Sequence, residues 1–539
     1  MFYFLTHSID SKLAGLEIAM INRLKVFNFL NEDAKIVTFR YNRFQHRNIK
    51  PYDIDSEHFL NLFDYYQKTV AYSGENSLTN SLDNIVDGFV EQFGTIKKQQ
   101  MGDEIKLFHQ NSLIAKVTFF SGNQNFISNV QIFDNQGNIM RDDGYDSRGF
   151  LSITSYFGQD GGVSSEDIYN AKGEVVIQFF YHELPNSNIE QTAIILNDND
   201  ARYVFHSLDE LTAFFYDEIA QNDKRSIFIA DRSYLVDPPL LKMKNKVPVF
   251  EYWHNTYSST NSYDGEFSEV MNRELSEMSN LSGYILPTID GSKSLKQRLP
   301  SHLPVFNATV ALTNPKILPI QNKYNPHKII MVARIDKQKN IGDALRAFSL
   351  IRKRQIQAEL FIYGYIYDQK YNQELLQLIQ SLDIEKSVHF EFYRSSQDTI
   401  YKDAAVMIMT SENEGWGMSI NEALAVGIPV ISYDTCFGPS EIITNGEDGI
   451  IVPKGDYREL AKQTIRILDD SELRQKLSKN AKHNMQRYDI NSVSHIWKDV
   501  INKMKQTIGE EKEKEKEKEK EKEKEKEKEK ENEKNNNKI

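Results

Sequence analysis

Apolar strands alternate with amphipathic helices along residues 325–505. Lys328–Ile335 is predicted to be a strand and Ile341–Arg354 a helix, and further apolar strands follow in the sequences AELFIYGY, SVHFEFY, AAVMIMT and IPVISYD. Near-continuous apolar strands that alternate with helices indicate a parallel sheet covered on both faces. The pattern therefore predicts a doubly wound α/β domain, whose ligand crevice lies beyond the carboxyl ends of the strands.

The N-terminal half begins with the same alternation and then departs from it. A strand (FYFLTH), a helix at Glu17–Phe29 and a second strand (AKIVTF) come first. From about Val117 to Tyr181, aromatic and β-branched residues alternate with polar ones, and turns are frequent. Gly137 and Gly173 each end a polar turn between two apolar pairs, which is typical of a β-hairpin. Since antiparallel hairpins cannot belong to the parallel sheet, we expect a β-rich insertion.

The chain is long enough for several domains, because its 539 residues are about three and a half times a typical domain of roughly 150. Prolines are frequent at residues 311–326, which suggests a hinge. The expected parts are a Rossmann-like domain at 1–70 and 190–310, a β-rich antiparallel insertion at 70–190, the hinge at 311–326, a second Rossmann-like domain at 327–505 and a low-complexity tail at 506–539.

Composition indicates a globular protein and excludes several other classes. Hydrophobic residues make up 40%, charged residues 26% and aromatic residues 11% of the chain, which is usual for a globular fold. No apolar run approaches the ~18 residues of a membrane span, and the N-terminus does not have the pattern of a signal peptide. The single cysteine, Cys436, excludes an internal disulfide and a cysteine-based zinc site, which fits a reducing cytosol.

The net charge of −12 belongs almost entirely to the folded part of the chain. Residues 510–539 hold 13 Glu and 12 Lys, which leaves −11 for the rest. An acidic body offers no electrostatic footprint for duplex nucleic acid, so no nucleic-acid partner is expected. From Glu511 to Lys530, Glu and Lys alternate without any apolar residue to bury, which indicates a solvated polyampholyte.

The strongest candidate site is the loop after AAVMIMT. It reads Ser-Glu-Asn-Glu-Gly-Trp-Gly-Met-Ser-Ile-Asn-Glu, with Glu414 before the next predicted helix and Glu422 about one turn into it. At this strand end both carboxylates reach the crevice, where they can accept hydrogen bonds from different hydroxyl groups of one polyol ligand. Gly415 and Gly417 allow backbone amides to approach a ligand closely. The spacing leaves a second interpretation open, in which Glu422 is a surface residue and Glu414 only interacts with the helix dipole.

Two further strand ends carry groups suited to phosphate. Arg334 ends the first strand of the domain, and Lys339 follows five residues later, before a helix. Paired cations at this position can neutralise the charge that develops on a departing diphosphate. The sequence Gly438-Pro439-Ser440 enters another helix with free N–H groups and a capping hydroxyl. Taken alone, the cations could be a solvated basic turn, but the convergence on one crevice favours a ligand site.

These motifs resemble those of a known family. The chain is similar to the retaining GT-B glycosyltransferases of family four in Arg334 and Lys339, in Glu414 and Glu422, in Gly427-Ile428-Pro429-Val430 and in Gly438-Pro439-Ser440. The resemblance covers about 325–505 strongly, and 1–50 and 200–310 more loosely. It implies the α/β GT-B fold, in which two doubly wound Rossmann-like domains face a cleft. Here the β-rich antiparallel insertion would belong to the N-terminal domain.

The insertion resembles that of two bacterial branches of this family. One branch comprises α-glycosyltransferases that act on wall teichoic acid, and the other glycosylates serine-rich or Ser-Asp repeat adhesins. The stretch Ser147-Arg148-Gly149-Phe150-Leu151 and the Tyr169-Asn170 hairpin favour the adhesin-modifying branch. The resemblance implies retaining, metal-independent transfer of a hexose or N-acetylhexosamine from a UDP-sugar to an adhesin serine or a teichoic acid polyol.

The resemblance also implies partners and a location. The donor is expected to be UDP-GlcNAc or UDP-Glc, with no further cofactor, and the acceptor is expected to be a polymer. The expected location is the cytoplasm, at the inner face of the membrane. The β-rich insertion is expected to make an acceptor surface or a homo-oligomer contact, because exposed edge strands invite pairing.

Site roles follow from the resemblance, residue by residue. Arg334 and Lys339 would hold the diphosphate, Glu414 would bind hydroxyls of the donor sugar, and Glu422 would bind the ribose hydroxyls. His254, after VPVFEYW, occupies the place of the active-site histidine near the anomeric carbon, with a structural role beside Trp253 as the alternative. The remaining expected donor contacts are Gly15 in the first loop, Ser440 at the phosphates, and Tyr393 and Arg394 near the base.

Two competing interpretations and one departure from the family pattern remain. Asp198-Asn199-Asp200 is an acidic triplet of the kind that holds a manganese-bound diphosphate in the other common glycosyltransferase fold, but it is also typical of a surface turn. The chain could instead be a non-catalytic GT-B subunit that binds the acceptor, although the four charged residues together favour an enzyme. Gly364 is followed by Tyr365-Ile366, where the family usually has a second glycine.

Overall fold

The structure is a computed structural model, and it describes residues 1–74, 82–120, 123–183, 189–260, 262–313, 324–391 and 397–510. The chain divides into two compact units. The first unit comprises Met1–Glu17 and Asp33–Val247, and the second comprises Ile18–Glu32 and Pro248–Ile539.

The first unit begins with parallel strands. β1 (Phe2–Thr6), β2 (Ala34–Thr38) and β3 (Phe59–Asn61) lie side by side in this order, and every side chain of β1 is buried. Helix α1 (Gly15–Phe29) follows β1 and belongs to the second unit from Ile18 onwards, and the short helices α2 (Gln45–Ile49) and α3 (Leu62–Gln67) follow β2 and β3.

A large antiparallel sheet follows. In the described residues it has ten strands, and each strand pairs with the next one in the chain. The strands are β4 (Lys97–Met101), β5 (Glu104–His109), β6 (Ser112–Phe120), β7 (Asn123–Phe133), β8 (Ile139–Tyr145), β9 (Leu151–Phe157), β10 (Val163–Tyr169), β11 (Val175–Glu183), β12 (Ile189–Asp198) and β13 (Ala201–Phe205). Helix α4 (Leu82–Phe93) buries Val86 against apolar residues of β5 and β6. The predicted β-rich antiparallel insertion is confirmed.

The antiparallel sheet extends beyond the expected boundary at residue 190. Strands β12 and β13 belong to it, and the α/β pattern resumes only with α5 (Leu208–Asn222). The physical reason is that Ile194 and Leu196 of β12 continue the buried face that Ile177 and Phe179 form on β11. The helix is followed by β14 (Ile227–Ala230), which pairs in parallel with β1, and by α6 (Ser233–Leu241).

A buried polar network joins the antiparallel sheet to helix α3. Arg148, in the loop between β8 and β9, donates hydrogen bonds of 2.7 Å to Asp64 Oδ1, Asp146 Oδ1 and the carbonyl oxygen of Thr69. His46 lies 2.8 Å from the other oxygen of Asp64. Burial alone would raise the pKa of Asp64, but the hydrogen bond with His46 and the charge of Arg148 lower it to about 2. The network therefore adds buried charged contacts to the aromatic packing of Phe63 of α3 against Phe179 of β11.

The second unit contains two groups of parallel strands. In the first group, β15 (Val249–Tyr252), β16 (Leu281–Leu286) and β17 (Val305–Asn307) lie side by side. In the described residues the second group is a six-stranded sheet of order β20-β19-β18-β21-β22-β23. Its strands are β18 (Lys328–Val332), β19 (Glu359–Tyr363), β20 (Val388–Glu391), β21 (Val406–Met409), β22 (Val430–Tyr433) and β23 (Gly449–Val452).

Helices alternate with the parallel strands of the second unit, and in the described residues three more helices follow its last strand, β23. They are α7 (Glu269–Glu277), α8 (Ile289–Arg298), α9 (Ile341–Arg354), α10 (Gln369–Ser381), α11 (Gln397–Ile400), α12 (Met418–Ala425), α13 (Pro439–Ile442), α14 (Tyr457–Asp469), α15 (Ser471–Asn484) and a last helix at 490–510. Apolar residues of β18, β19, β21 and α9 form one buried core. The doubly wound α/β arrangement predicted for this region is therefore confirmed.

The boundary between the two compact units does not lie at the expected hinge, residues 311–326. The division falls between Val247 and Pro248, because the segment that follows packs within the second unit. Phe437, for example, is buried in an aromatic cluster with Trp253 and Tyr284, and Trp497 donates a hydrogen bond to the carbonyl oxygen of Thr309. Most of the expected hinge, residues 314–323, lies outside the described residues.

Candidate active site

Lys339 follows the carboxyl end of β18 and is the last residue of a one-turn 3-10 helix, Lys337–Lys339. The N-cap residue Asp336 accepts a hydrogen bond from the Lys339 N–H at 3.1 Å, which fixes the turn. The Lys339 ammonium donates to Glu414 Oε1 at 2.7 Å, and the two side chains are only 13% and 8% exposed. Charge-assisted hydrogen bonds that water does not reach are stronger than surface ones. The structure therefore brings together one predicted cation and one predicted acid.

Arg334 contacts different neighbours. Its guanidinium pairs with Asp336 at 3.1 Å and lies over the ring of Tyr367, 5.2 Å from the ring centroid. Together with residues 336–338 and 367–370, Arg334 lines a cleft of about 700 Å³. Both predicted cations thus lie at the carboxyl end of β18, and in the part of the chain that the structure describes Lys339 pairs with a predicted acid, whereas Arg334 pairs with Asp336.

The loop after β19 lies directly against the loop after β18. A Cβ atom on Gly364 would lie 1.9 Å from the carbonyl oxygen of Ala333, so only glycine fits there. The N–H of Ile335 donates to the carbonyl oxygen of Tyr365 at 3.0 Å, and the N–H of Tyr367 donates to the carbonyl oxygen of Ile335 at 3.2 Å. Tyr365-Ile366, which replace the second glycine of the family pattern, therefore pair with the backbone of Ile335. This pairing brings Tyr367 next to Arg334.

Glu422 lies one turn into α12, and a buried tyrosine holds its carboxylate. The hydroxyl group of Tyr401 donates to Glu422 Oε2 at 2.6 Å. Tyr401 is fully buried, and this burial, with the neighbouring charge of Glu422, raises the pKa of the phenol well above its ordinary value. The phenol is therefore a neutral hydrogen-bond donor at any physiological pH, and the orientation of Glu422 depends on it.

His254 follows β15, and its main chain contacts the loop of Glu414. A Cβ atom on Gly415 would lie 1.6 Å from the carbonyl oxygen of His254, so the close approach requires glycine. The imidazole ring of His254 lies against the ring of Tyr252, with centroids 4.4 Å apart. The structure thus places His254 beside the residue that follows Glu414.

The start of helix α13, which carries Ser440, is held in place by the residues on either side of Ser440. Ser440 is exposed in α13, directly after Gly438 and Pro439. Phe437 packs against Tyr257 and Tyr263 with ring centroids 5.6 Å and 4.7 Å apart. The carboxylate of Glu441 accepts hydrogen bonds from the N–H groups of residues 289 and 290, at 2.7 Å and 3.0 Å, at the start of α8.

The described contacts do not test whether the other predicted site residues, Gly15, Tyr393 and Arg394, take part in this group. Gly15 is the first residue of α1 and belongs to the first unit, where Glu17 accepts a hydrogen bond from the Ala14 N–H and pairs with Arg232. Tyr393 and Arg394 lie outside the described residues. The acidic triplet at 198–200 is the hairpin turn between β12 and β13, and Asp198 pairs with Lys68 at 2.8 Å.

Sequence reasoning did not identify two residues that the site depends on. Tyr401 carries no signal in the sequence, because it lies far along the chain from Glu422 and outside any motif. Glu441 directly follows the recognised Gly438-Pro439-Ser440 step, so its position was visible, but its hydrogen bonds to α8 depend on how the chain folds.

Comparison with known protein families identifies one region of the second unit. Residues 314–484 match the family model described as "Glycosyl transferases group 1". This region is a group 1 glycosyltransferase domain. Within it lie Lys339, Glu414 and Glu422, so the contacts described above are contacts of that domain. A second family model, described as "GtfB middle domain", matches residues 96–206 and covers the strands β4 to β13.

Known relatives of this glycosyltransferase domain match most of the chain. A poly(glycerol-phosphate) alpha-glucosyltransferase of Bacillus subtilis is 24% identical over 530 residues, which cover 95% of this chain and 76% of that protein. TarM of Staphylococcus aureus, solved with Fondaparinux, alpha-GlcNAc-glycerol and UDP, has a TM-score of 0.75 at 19% identity, covering 93% of this chain and 99% of that one.

The pneumococcal O-GlcNAc transferase GtfA, solved with UDP and GlcNAc, is a further structural neighbour. It has a TM-score of 0.78 at 16% identity and covers 93% of this chain and 98% of its own. At such identities the structural similarity shows the fold. The predicted GT-B class, with a β-rich antiparallel insertion, is therefore confirmed.

Proposed function

We propose that the protein transfers a hexose or an N-acetylhexosamine from a UDP-sugar to a hydroxyl group of a cell-surface polymer. The contact between Lys339 and Glu414 carries this proposal, because it joins a cation suited to a diphosphate and an acid suited to sugar hydroxyls at one edge of the sheet. The group 1 glycosyltransferase domain and the named glycosyltransferases that match more than nine tenths of the chain support it.

In this proposal the charged side chains divide the donor between them. Lys339 and Arg334 bind the diphosphate, and Glu422, oriented by Tyr401, accepts hydrogen bonds from the ribose hydroxyls. Glu414 accepts hydrogen bonds from the donor sugar and keeps Lys339 next to the bond that breaks. The remaining proposed donor contacts are His254 near the anomeric carbon, Ser440 at the phosphates, Gly15 at the start of α1, and Tyr393 and Arg394 near the base.

The proposed reaction replaces one bond of the anomeric carbon by another. The bond to the diphosphate oxygen breaks, the bond to the acceptor oxygen forms on the same face of the sugar, and the products are UDP, an α-glycoside and one proton. A preorganised cation stabilises the negative charge that develops on the departing diphosphate. Because Lys339 and Arg334 supply that charge, the proposal requires no metal ion.

Two acceptor classes are compatible with the relatives. The Bacillus protein is named for poly(glycerol-phosphate) and the pneumococcal protein for O-GlcNAc transfer. The first name states a polymer and the second states O-linked transfer, so an acceptor oxygen is what both names support, and the polymeric nature of the acceptor stays part of the proposal.

The purified chain alone tests the proposal. It is incubated with UDP-Glc, UDP-GlcNAc and UDP-Gal, each with a polyol-phosphate polymer and with a serine-rich repeat peptide. UDP release is measured, and mass spectrometry detects the mass added to the acceptor. We expect one donor to give UDP and a hexose or N-acetylhexosamine increment on one acceptor. Activity that survives EDTA and an anomeric proton coupling typical of an α-linkage support metal independence and retention.

A different outcome would identify the chain as a non-catalytic subunit. If the protein binds an acceptor but releases no UDP from any donor, the enzymatic proposal is wrong. Activity that EDTA abolishes and Mn²⁺ restores would leave the transferase in place and overturn its metal independence.

We further propose a cytoplasmic location at the inner face of the membrane, where a nucleotide sugar and a cell-surface precursor meet. No helix in the described part of the chain is both long enough and apolar enough to cross a bilayer. Edge strand β4 is exposed along its whole length, and such edges pair readily, so the antiparallel sheet is the proposed site of self-association. Cell fractionation and sedimentation of the purified protein test these two points.

A further inference from the structure

The side chain of Asn340 connects the loop of Lys339 to the loop of Glu414. Its amide nitrogen donates to Glu412 Oε1 at 2.7 Å and to Asp343 Oδ2 at 3.0 Å. Asn340 directly follows Lys339, and Glu412 lies two residues before Glu414. One amide group therefore links the two chain segments whose ends form the ion pair.

The backbone of Asn340 is also unusual. Its φ of 43° and ψ of 48° are left-handed, and the residue ends the 3-10 turn and caps helix α9. Glycine and asparagine adopt this conformation most readily. A substitution must therefore separate two effects, the backbone conformation that glycine preserves and the amide group that glycine removes.

Further hydrogen bonds join the same two loops. The hydroxyl group of Thr410 donates to the carbonyl oxygens of Asn340 and Lys339, at 2.9 Å and 3.3 Å, and the N–H of Glu412 donates to the carbonyl oxygen of Gln338 at 2.8 Å. The side chain of Gln338 also crosses between the loops and donates to the carbonyl oxygen and the side-chain oxygen of Asn413, at 3.2 Å and 2.5 Å. These bonds align the two loops, and the Asn340 side chain adds a link from the residue after Lys339 to a carboxylate of the opposite loop.

The acceptors of the Asn340 amide are themselves held in place. Glu412 pairs with Lys454 through its other oxygen at 3.1 Å. Asp343 accepts a second hydrogen bond from the hydroxyl group of Tyr433 at 3.0 Å. Asn340 thus lies at the centre of a network that draws on the carboxyl ends of β18, β22 and β23 and on the loop after β21.

We propose that Asn340 is a positioning residue that holds Lys339 and Glu414 at the separation the reaction needs. The inference rests on the proposed function, since it concerns the same donor site. Asn340 acts through Lys339 and Glu414 and need not touch the donor. Displacing a group of an active site by about 1 Å can lower the rate about 100-fold, so the loss of one positioning amide has a measurable effect.

The test uses N340G, E412A and the double variant, with D383G as the matched control. Asp383 is an exposed residue with a left-handed backbone (φ 55°) in the same unit, at a turn away from the site. N340G keeps the backbone conformation and removes the amide, and E412A removes one acceptor. We expect each single variant to lower kcat about tenfold, in line with a modest displacement of the reacting groups.

Three further readouts distinguish positioning from a general structural role. The double variant should be no slower than the slower single variant, because both substitutions break the same link. E412Q, whose amide oxygen still accepts the hydrogen bond, should retain more activity than E412A. UDP affinity, measured by calorimetry, should weaken only about threefold in N340G, since the ribose side of the site is unchanged, and the Tm of N340G should match that of D383G.

The possible failures are distinguishable. If the wild-type protein binds UDP but transfers no sugar, the proposed function is wrong. In that case, an N340G variant that binds UDP as tightly as D383G would overturn the inference as well. If the wild-type protein is active and N340G matches it in kcat and UDP affinity, Asn340 is not a positioning residue. Losses in N340G and E412A that multiply in the double variant would also overturn the inference.

Discussion

Lys339 and Glu414 lie 75 residues apart in the chain, and yet Nζ of one and Oε1 of the other are 2.7 Å apart. Both side chains are largely withdrawn from water, so each charge depends on the other for its stabilisation. The pair joins the loop after β18 to the loop after β21.

Lys339→Ala should lower the rate of sugar transfer by roughly 10²–10³, because a preorganised positive charge at the departing diphosphate is lost. UDP release with the best donor measures the effect. K386A removes an exposed lysine of the same unit and should behave like the wild type. A K339A rate within about threefold of the wild-type rate, well short of the expected loss, would show that Lys339 does not act on the leaving group.

Glu414→Ala should destabilise the fold by about 3 kcal/mol, because it leaves the ammonium group of Lys339 largely buried without its partner. Urea denaturation of E414A, K339A and the double variant measures the free energies of unfolding. The double variant should be less destabilised than the sum of the single variants, since it leaves no unpaired charge. Additive losses would show that the two charges do not depend on each other.

Tyr401→Phe should weaken UDP binding about tenfold, which corresponds to one hydrogen bond to a charged group. The substitution removes the phenol that orients Glu422 and leaves the apolar ring in place. Calorimetric titration with UDP measures the change, and Y234F, at an exposed tyrosine of the first unit, is the control. An unchanged affinity in Y401F would mean that Glu422 does not bind the nucleotide or does not need this orientation.

Asp64 should contribute stability that disappears in acid. Its pKa is lowered to about 2 in the folded protein and is about 3.9 in an unfolded chain. A carboxyl group with a lowered pKa stabilises the fold above the unfolded value and loses that contribution as the pH falls towards the folded value. The difference in unfolding free energy between wild type and D64N should therefore be largest above pH ~5 and shrink by about 2–3 kcal/mol towards pH ~2.

Urea denaturation at several pH values between 6 and 2 measures this difference. Because Arg148 is one of the groups that lower the pKa of Asp64, R148M should flatten the dependence. A difference between wild type and D64N that stays constant across this range would contradict the assigned network.

The sequence predicts much of this fold because parallel strands buried on both faces are nearly continuous apolar runs. The same rule predicts that Lys339 and Glu414 lie at one edge of the sheet, since both follow strands of that sheet, and in the structure they are in contact. The antiparallel sheet was predicted from its hairpin turns. The predicted end at 190 is too early, because β12 and β13 continue the antiparallel pairing as far as Phe205.

The missed parts of the site depend on long-range packing. Nothing in the sequence around Tyr401 indicates that its phenol reaches Glu422, which lies 21 residues further along the chain. The partner of Arg334 was also not predictable, because an arginine at a strand end can pair with any acid nearby, and the local Asp336 takes it. Sequence patterns locate charged groups at a sheet edge, but they do not determine which of them meet.

The sharpest test is a crystal structure of the protein with bound UDP. We expect Lys339 Nζ to lie within ~3 Å of a diphosphate oxygen and the carboxylate of Glu422 to lie equally close to the ribose hydroxyls. If UDP binds elsewhere, or if the diphosphate lies out of reach of Lys339 while that residue stays paired with Glu414 alone, the assigned donor site is wrong.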